Sequence, residues 1–228
     1  MEQSTARYLD AAILYPGLEQ DETREAIETV IGYDCITVCI RPCDIELAVD
    51  LCRGTSTGVC VVLGFPHGCE LSRVKASAAQ AYLDSGVDEI DMVANYGFIR
   101  SGAWERVTAD IEAVTAVTRP HGVPVKVILE TSELTAEQIV QATECAIKAG
   151  ADFVKTSTGF TSGGATEEAV RTMLDAARGR IQVKASGGIR DAIQARAYLD
   201  MGVTRLGAGY SSLAAICDGG PRTDTGVY

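Results

Sequence analysis

The sequence predicts an α/β protein folded as a single-domain (β/α)8 barrel, the TIM-barrel architecture. Three observations predict it. Eight short apolar runs alternate with amphipathic stretches, the same glycine-led turn recurs between them, and charged residues gather on one face of several runs. Gly32-Tyr33-Asp34, Gly86-Val87-Asp88, Gly150-Ala151-Asp152 and Gly202-Val203-Thr204 each follow an amphipathic stretch and precede an apolar run. A glycine just past a helix end accepts the left-handed conformation that stops the helix, and the chain then enters a strand. Eight units in 228 residues leave about 28 residues per unit, a compact strand–helix repeat. An open, doubly wound sheet is the rival, but no G-x-G-x-x-G fingerprint follows the first strand.

Taken in order, strands are expected over 9–14, 35–40, 59–64, 89–93, 125–130, 153–157, 181–186 and 204–207. The helices between them carry start signals. Pro42 suits a first helical turn, where its missing amide costs nothing. Thr135-Ala136-Glu137-Gln138 is a capping box, and Ser101 and Thr166 are candidate caps. The alanine-rich stretch 76–81 suits close packing on a sheet. No Pro/Ser-rich linker divides the chain, so residues 1–228 read as one domain, with 218–228 as a mobile tail.

Composition narrows the function classes. Hydrophobic residues make up 46% and charged residues 22%, an ordinary globular balance. The net charge of −11 argues against a nucleic-acid surface, which needs clustered Lys and Arg. No apolar run approaches the roughly 20 residues that span a bilayer, so no membrane partner is expected. The start, Met1-Glu2-Gln3-Ser4, lacks the basic and apolar regions of a signal peptide, which predicts a cytoplasmic protein. The eight cysteines form no Cys-x-x-Cys and there are only two histidines, His67 and His121, so no metal site is expected and the thiols read as reduced. The oligomeric state stays open, with a homo-oligomer among the outcomes.

Strand side chains alternate between faces. Ile90 and Met92 oppose Glu89 and Asp91; Val125, Val127 and Leu129 oppose Lys126, Ile128 and Glu130; Val183 and Ala185 oppose Lys184 and Ser186; Val154 opposes Phe153 and Lys155. The apolar face must meet the helices, so Asp91, Lys126, Glu130, Lys155 and Lys184 project into the barrel. Lys155 and Lys184 lie near the C-terminal ends of their strands, where barrel enzymes place chemistry. Burial and a neighbouring cation both favour a neutral amine, and a neutral amine attacks carbonyls to form a Schiff base. Lys126 and Glu130 share a face and read equally well as a structural or orienting pair and as catalytic groups. Cys39 reads first as a small core residue, with a nucleophile or a substrate contact as the alternatives. Gly-rich turns at Ser186-Gly187-Gly188 and Gly207-Ala208-Gly209-Tyr210-Ser211 follow the last two strands, where barrels of this type hold phosphate.

With these residues in hand, the chain resembles the 2-deoxyribose-5-phosphate aldolases, a class I aldolase family. The resemblance rests on Gly64-Phe65-Pro66, Asp88-Glu89-Ile90-Asp91-Met92-Val93, Phe153-Val154-Lys155-Thr156-Ser157-Thr158-Gly159 and Val183-Lys184-Ala185-Ser186-Gly187-Gly188. It also includes Val38-Cys39-Ile40 and Val125 to Glu130, in the expected order over most of the chain. It implies reversible cleavage of 2-deoxy-D-ribose 5-phosphate to acetaldehyde and D-glyceraldehyde 3-phosphate, with no metal or organic cofactor. It implies Lys155 as the Schiff-base lysine, Lys184 as its cationic neighbour and Asp91 as a proton shuttle. Cys39, Asp10, Lys126, Thr156, Gly187, Gly188, Gly209 and Ser211 become the expected substrate-binding set. Two stretches depart from the family pattern. Asp10-Ala11-Ala12-Ile13-Leu14-Tyr15-Pro16 lacks a histidine, a threonine and a lysine, and Tyr210 separates Gly209 from Ser211-Ser212. Some relatives end in a tyrosine that reaches the site, as Tyr228 would here. A Schiff-base aldolase or transaldolase-like enzyme with another donor or a non-phosphorylated substrate, and a non-catalytic anion-binding barrel, are the competing readings.

Overall fold

Strands form where β-branched and small apolar residues run together, and they close here into a ring. The computed structural model describes residues 4–221. Its strands are β1 (Leu9–Ile13), β2 (Thr37–Ile40), β3 (Gly58–Leu63), β4 (Glu89–Val93), β5 (Val125–Ile128), β6 (Phe153–Lys155), β7 (Gln182–Ser186) and β8 (Arg205–Gly209). All neighbours pair in parallel, in sequence order, and β8 pairs back onto β1 to complete a closed barrel. The open-sheet alternative is thereby excluded.

The surrounding helices are α1 (Gln20–Gly32), α2 (Ile45–Cys52), α3 (Ser72–Asp84), the short α4 (Tyr96–Arg100), α5 (Trp104–Thr118), α6 (Ala136–Lys148), α7 (Glu167–Ala177), α8 (Ala192–Met201) and the short α9 (Leu213–Cys217). One continuous apolar core lies between helices and barrel. It joins Ile13, Val38, Val61, Ile90, Val127, Val154, Val183 and Leu206 from the strands to residues such as Ile27, Ile111, Ala142 and Met173 from the helices. Each fully buried Val, Leu or Ile stabilises the fold by about 1.5–3 kcal/mol relative to its exposed state. A buried ion pair interrupts this layer: Lys75 on α3 binds Asp110 on α5 at 2.6 Å and donates to the Val93 carbonyl at 2.9 Å. It ties two helices to the C-terminal end of β4.

The local signals hold in part. The Thr135 capping box is formed in full, and Thr166 caps α7 by accepting from the Ala169 amide at 3.1 Å. Ser101 does not cap a helix start. It ends α4 and donates its hydroxyl back to the Gly97 carbonyl at 2.7 Å, and α5 begins only at Trp104. Pro42 opens a 3-10 turn, with α2 starting at Ile45. Gly86, Gly150 and Gly202 have positive φ as expected, but Gly32 stays in the last turn of α1, and Asp34 takes the left-handed conformation with φ 55°. β2 starts at Thr37, two residues later than expected, although Ile36 already donates to the Leu9 carbonyl at 3.1 Å. Of the expected tail, Asp218 is described and accepts a hydrogen bond from Tyr33 at 2.7 Å; residues 222–228, Tyr228 among them, lie outside the described residues.

Candidate active site

The inward face of the barrel is ionic on one side and apolar on the other. Asp91 projects from the middle of β4 and is fully buried. Three lysines from the next three strands converge on it. Lys126 Nζ lies 2.7 Å from Oδ1, while Lys155 and Lys184 share Oδ2 at 2.8 and 2.7 Å. The strand register makes this possible, for Ile128 pairs with Lys155 and Lys155 pairs with Lys184, so the two amines sit side by side on β6 and β7. Lys184 also reaches Asp10 Oδ2 at 2.5 Å, and Thr37 donates to Asp10 Oδ1 at 2.7 Å. Gly207 on β8 leaves the space that Lys184 fills: a Cβ there would lie 2.5 Å from Ser186 Oγ and 3.1 Å from Lys184 Cε.

Burial opposes ionisation of Asp91, but Lys126, Lys155 and Lys184 outweigh it and hold its carboxyl well below the usual range. Asp10 behaves alike, with Lys126, Lys184 and Arg205 overcoming burial. Burial would likewise discharge Lys184, yet Asp10 and Asp91 raise its pKa, so it remains a cation beside Lys155. A fixed cation and a buried anion thus flank the Lys155 amine, which is 3% exposed at the barrel mouth.

The apolar side comprises Ala12, Leu14, Cys39, Cys60 and Val62, with Phe65 and Phe160 packed over them. The two rings meet edge to face at 5.1 Å between centroids. A cleft of about 420 Å3 opens here, lined by Leu14, Arg41, Val62, Phe65, Glu70 and Phe160 among others. Cys39 and Cys60 face one another across β2 and β3. With Asp91 they bring three donor atoms within 4.8 Å, but the lysines that crowd the carboxylate make a poor setting for a metal cation. The Cys39 thiol is lowered by a hydrogen bond with Cys60, while burial pushes Cys60 well up.

Of the expected site residues, Asp10, Cys39, Asp91, Lys126, Lys155 and Lys184 therefore come together. Lys126 does not pair with Glu130. Its amine turns to Glu89, Asp91 and Asp10 at 2.5, 2.7 and 3.4 Å. Glu130 lies beyond β5 with φ 58°, where it accepts from the Thr158 hydroxyl at 2.5 Å and from Thr161 at 3.0 Å. It thereby anchors the loop after β6. Thr156 uses its hydroxyl within the barrel, donating to the Ser186 carbonyl at 2.8 Å and accepting from the Ser186 amide at 2.9 Å. It stitches β6 to β7, so its side chain orders the site from behind.

Gly187 and Gly188 both have positive φ and form the turn after β7. The loop after β6 lies directly on this turn. Ala165 donates to the Gly187 carbonyl at 3.0 Å, and a Cβ on Gly164 would lie 2.4 Å from that oxygen. Gly209 ends β8 in extended conformation and Tyr210–Ser212 form a 3-10 turn, which carries Ser211 at the mouth. Ser157, fully buried beside Gly187, has an Oγ with no hydrogen-bond partner. Sequence reasoning missed Arg205, Glu89 as a partner of it, Cys60 and the Glu130 anchor. Arg205 is on β8 and contacts Asp10 and Glu89.

An amine held at a barrel mouth between a second lysine and a buried aspartate, with glycine turns beside it, is the equipment of a Schiff-base aldolase. Comparison with known proteins agrees. Residues 9–219 match the model of the DeoC/LacD family aldolases. The deoxyribose-phosphate aldolase of Clostridium perfringens is 42% identical over 217 residues, 95% of this chain and 96% of that protein. That of Streptococcus sanguinis is 43% identical over 201 residues, covering 88% and 90%. Among solved structures, one titled QR15, an aldolase, superposes with a TM-score of 0.88 at 36% identity, covering 94% of this chain and 95% of its own. The tetrameric deoxyribose phosphate aldolase of Aeropyrum pernix superposes at 0.86 and 28% identity, covering 94% and 89%. The chain belongs to the DeoC/LacD aldolase family.

Proposed function

We propose that this protein reversibly cleaves 2-deoxy-D-ribose 5-phosphate to acetaldehyde and D-glyceraldehyde 3-phosphate through a Schiff base on Lys155. The observation that carries the reading is the arrangement of two lysines on one buried aspartate oxygen, 2.8 and 2.7 Å away, with Lys155 slightly exposed and Lys184 fully buried. The free amine of Lys155 attacks the aldehyde carbon of the open-chain sugar. The carbinolamine loses water to give an iminium, which withdraws electrons from the neighbouring C–C bond. As that bond breaks, the adjacent hydroxyl loses its proton and D-glyceraldehyde 3-phosphate leaves, with the electron pair retained as an enamine. Protonation of the enamine carbon and hydrolysis release acetaldehyde and restore the amine. Asp91 and the Lys184 ammonium are within reach of the nitrogen and move protons in these steps.

The phosphate end fits the turns at Gly187-Gly188 and Gly209 to Ser211, whose backbone amides suit an anion. Ser157 Oγ offers a further donor next to Gly187. The apolar wall of Ala12, Leu14, Val62, Phe65 and Phe160 suits the methyl group of acetaldehyde better than the hydroxyls of a larger donor. This favours acetaldehyde over dihydroxyacetone phosphate. No helix among the described residues is long and apolar enough to cross a membrane, and the eight cysteines are free thiols.

The test is borohydride reduction in the presence of acetaldehyde, followed by peptide mass spectrometry. A two-carbon adduct on Lys155 is expected. An adduct on a different residue, or none, would overturn the assignment, as would full activity in Lys155→Ala. A donor panel with dihydroxyacetone phosphate checks the donor class.

A further inference from the structure

The ionic half of the barrel holds more cations than carboxylates. Facing the Lys155 amine or its partners are Asp10 on β1, Cys39 on β2, Cys60 on β3, Glu89 and Asp91 on β4, Lys126 on β5, Lys184 on β7 and Arg205 on β8. Glu130, past β5, has its carboxylate engaged by Thr158 and Thr161 instead. The cations are Lys126, Lys155, Lys184 and Arg205; the carboxylates in contact with them are Asp10, Glu89 and Asp91. With every group ionised, one positive charge is left over.

The contacts say which group is left over. Arg205 Nη1 binds Asp10 Oδ1 at 2.6 Å and Glu89 Oε2 at 2.8 Å, and Nη2 binds Glu89 Oε1 at 3.1 Å. A guanidinium does not give up its proton in a protein, so this charge is permanent. Lys126 draws on all three carboxylates and Lys184 on two. Lys155 has a single oxygen, which it shares with Lys184. Three cations therefore satisfy three carboxylates without it.

We propose that Arg205, held by Glu89, is a positioning residue that sets the charge state of the Lys155 amine by saturating the carboxylates below it. Arg205 touches neither the mouth nor a reacting atom in this reading; it acts through Asp10 and Glu89. The inference rests on Lys155 being the Schiff-base lysine. Removing the guanidinium frees carboxylate charge and makes protonated Lys155 the third cation of a balanced set. Removing Glu89 does the reverse.

The test is the pH dependence of kcat/KM for cleavage in the wild type, Arg205→Gln, Arg205→Lys, Glu89→Gln and the Arg205→Gln/Glu89→Gln double variant. Arg205→Gln is expected to move the acid limb about one pH unit toward alkali, roughly a tenfold rate loss on the acid side that is regained at higher pH. Glu89→Gln moves the limb the opposite way. Arg205→Lys leaves it in place, and the double variant, with one charge of each sign removed, returns it close to the wild-type position. A residue that only braces the barrel would lower kcat without opposite displacements of the limb. Limbs that stay fixed, or move in the same direction in both single variants, would overturn the proposal. Should Arg205→Gln fail to fold, Glu89→Gln alone decides the sign: an acidward shift supports the proposal and any other result refutes it. Borohydride mapping on the wild type separates the two layers of the argument. An adduct on Lys155 with unmoved limbs removes only the role of Arg205, whereas an adduct elsewhere removes both readings.

Discussion

The substitution Gly164→Ala tests where the phosphate sits. The new Cβ would lie 2.4 Å from the Gly187 carbonyl oxygen and 2.6 Å from its carbon, both backbone atoms that no rotamer change can clear. Ordinary contact needs roughly 3.4 Å or more, so the β6 loop and the Gly187-Gly188 turn must separate by about 1 Å. The Ala165–Gly187 hydrogen bond of 3.0 Å stretches with them. If the phosphate accepts from amides of this turn, the shift weakens a hydrogen bond to a charged group, worth about 1.5–3 kcal/mol. That corresponds to a loss of about 10- to 150-fold in kcat/KM for 2-deoxy-D-ribose 5-phosphate. The assay compares this substrate with its non-phosphorylated analogue and follows acetaldehyde trapping by borohydride in parallel. The phosphorylated substrate should suffer, mainly through KM, while the analogue and the trapping change by less than about threefold, since Lys155 and Asp91 lie on strands the substitution does not touch. Equal losses for both substrates, or none, would refute the placement of the phosphate on this turn.

Further outcomes follow from the same contacts. Lys184→Leu removes a cation that shares Asp91 Oδ2 with Lys155, so it should lower kcat by about 10²–10⁴-fold in steady-state cleavage assays and move borohydride labelling of Lys155 to higher pH. Asp91→Asn leaves three buried lysines without their common anion and should destabilise the fold by about 3–5 kcal/mol in urea denaturation, with activity lost as well. Thermal melting against pH should show a plateau with two edges. Asp10 and Asp91 are held below the ordinary carboxylate range, so their contribution is complete above the unfolded value of about 4 and fades as the pH falls through the folded values. Lys126 and Lys184 are raised, so theirs is complete below the unfolded value of about 10.4 and fades as the pH climbs above it. A melting temperature that stays level down to pH 2 would contradict the ionic interior.

The alternation of charge and hydrocarbon in β4, β5 and β7 made the inward set legible, because each strand opposes Asp91, Lys126 or Lys184 to aliphatic residues. β8 offered no such contrast. Its Gly207, Ala208 and Gly209 are small on both faces, so the inward direction of Arg205 was hidden, and its partner Glu89 lies 116 residues away. β3 hid Cys60 in the same manner, being apolar throughout. Glu130 was misread because parity holds only while the backbone stays extended, and its left-handed conformation breaks the count. Thr156 belongs with the site by position, but only coordinates show that its hydroxyl is already committed to Ser186.

The sorting of charge along the chain has a further consequence. Asp10, Glu89 and Asp91 all come from the first four strands, whereas Lys126, Lys155, Lys184 and Arg205 all come from the last four. Cut in the loop at Gly122, the molecule would yield an acid-lined and a base-lined half, each stranded with uncompensated ions and each carrying the counter-ions of the other. Assembly of this ring is thus a mating of complementary halves, and neither half-ring has reason to persist until its opposite arrives.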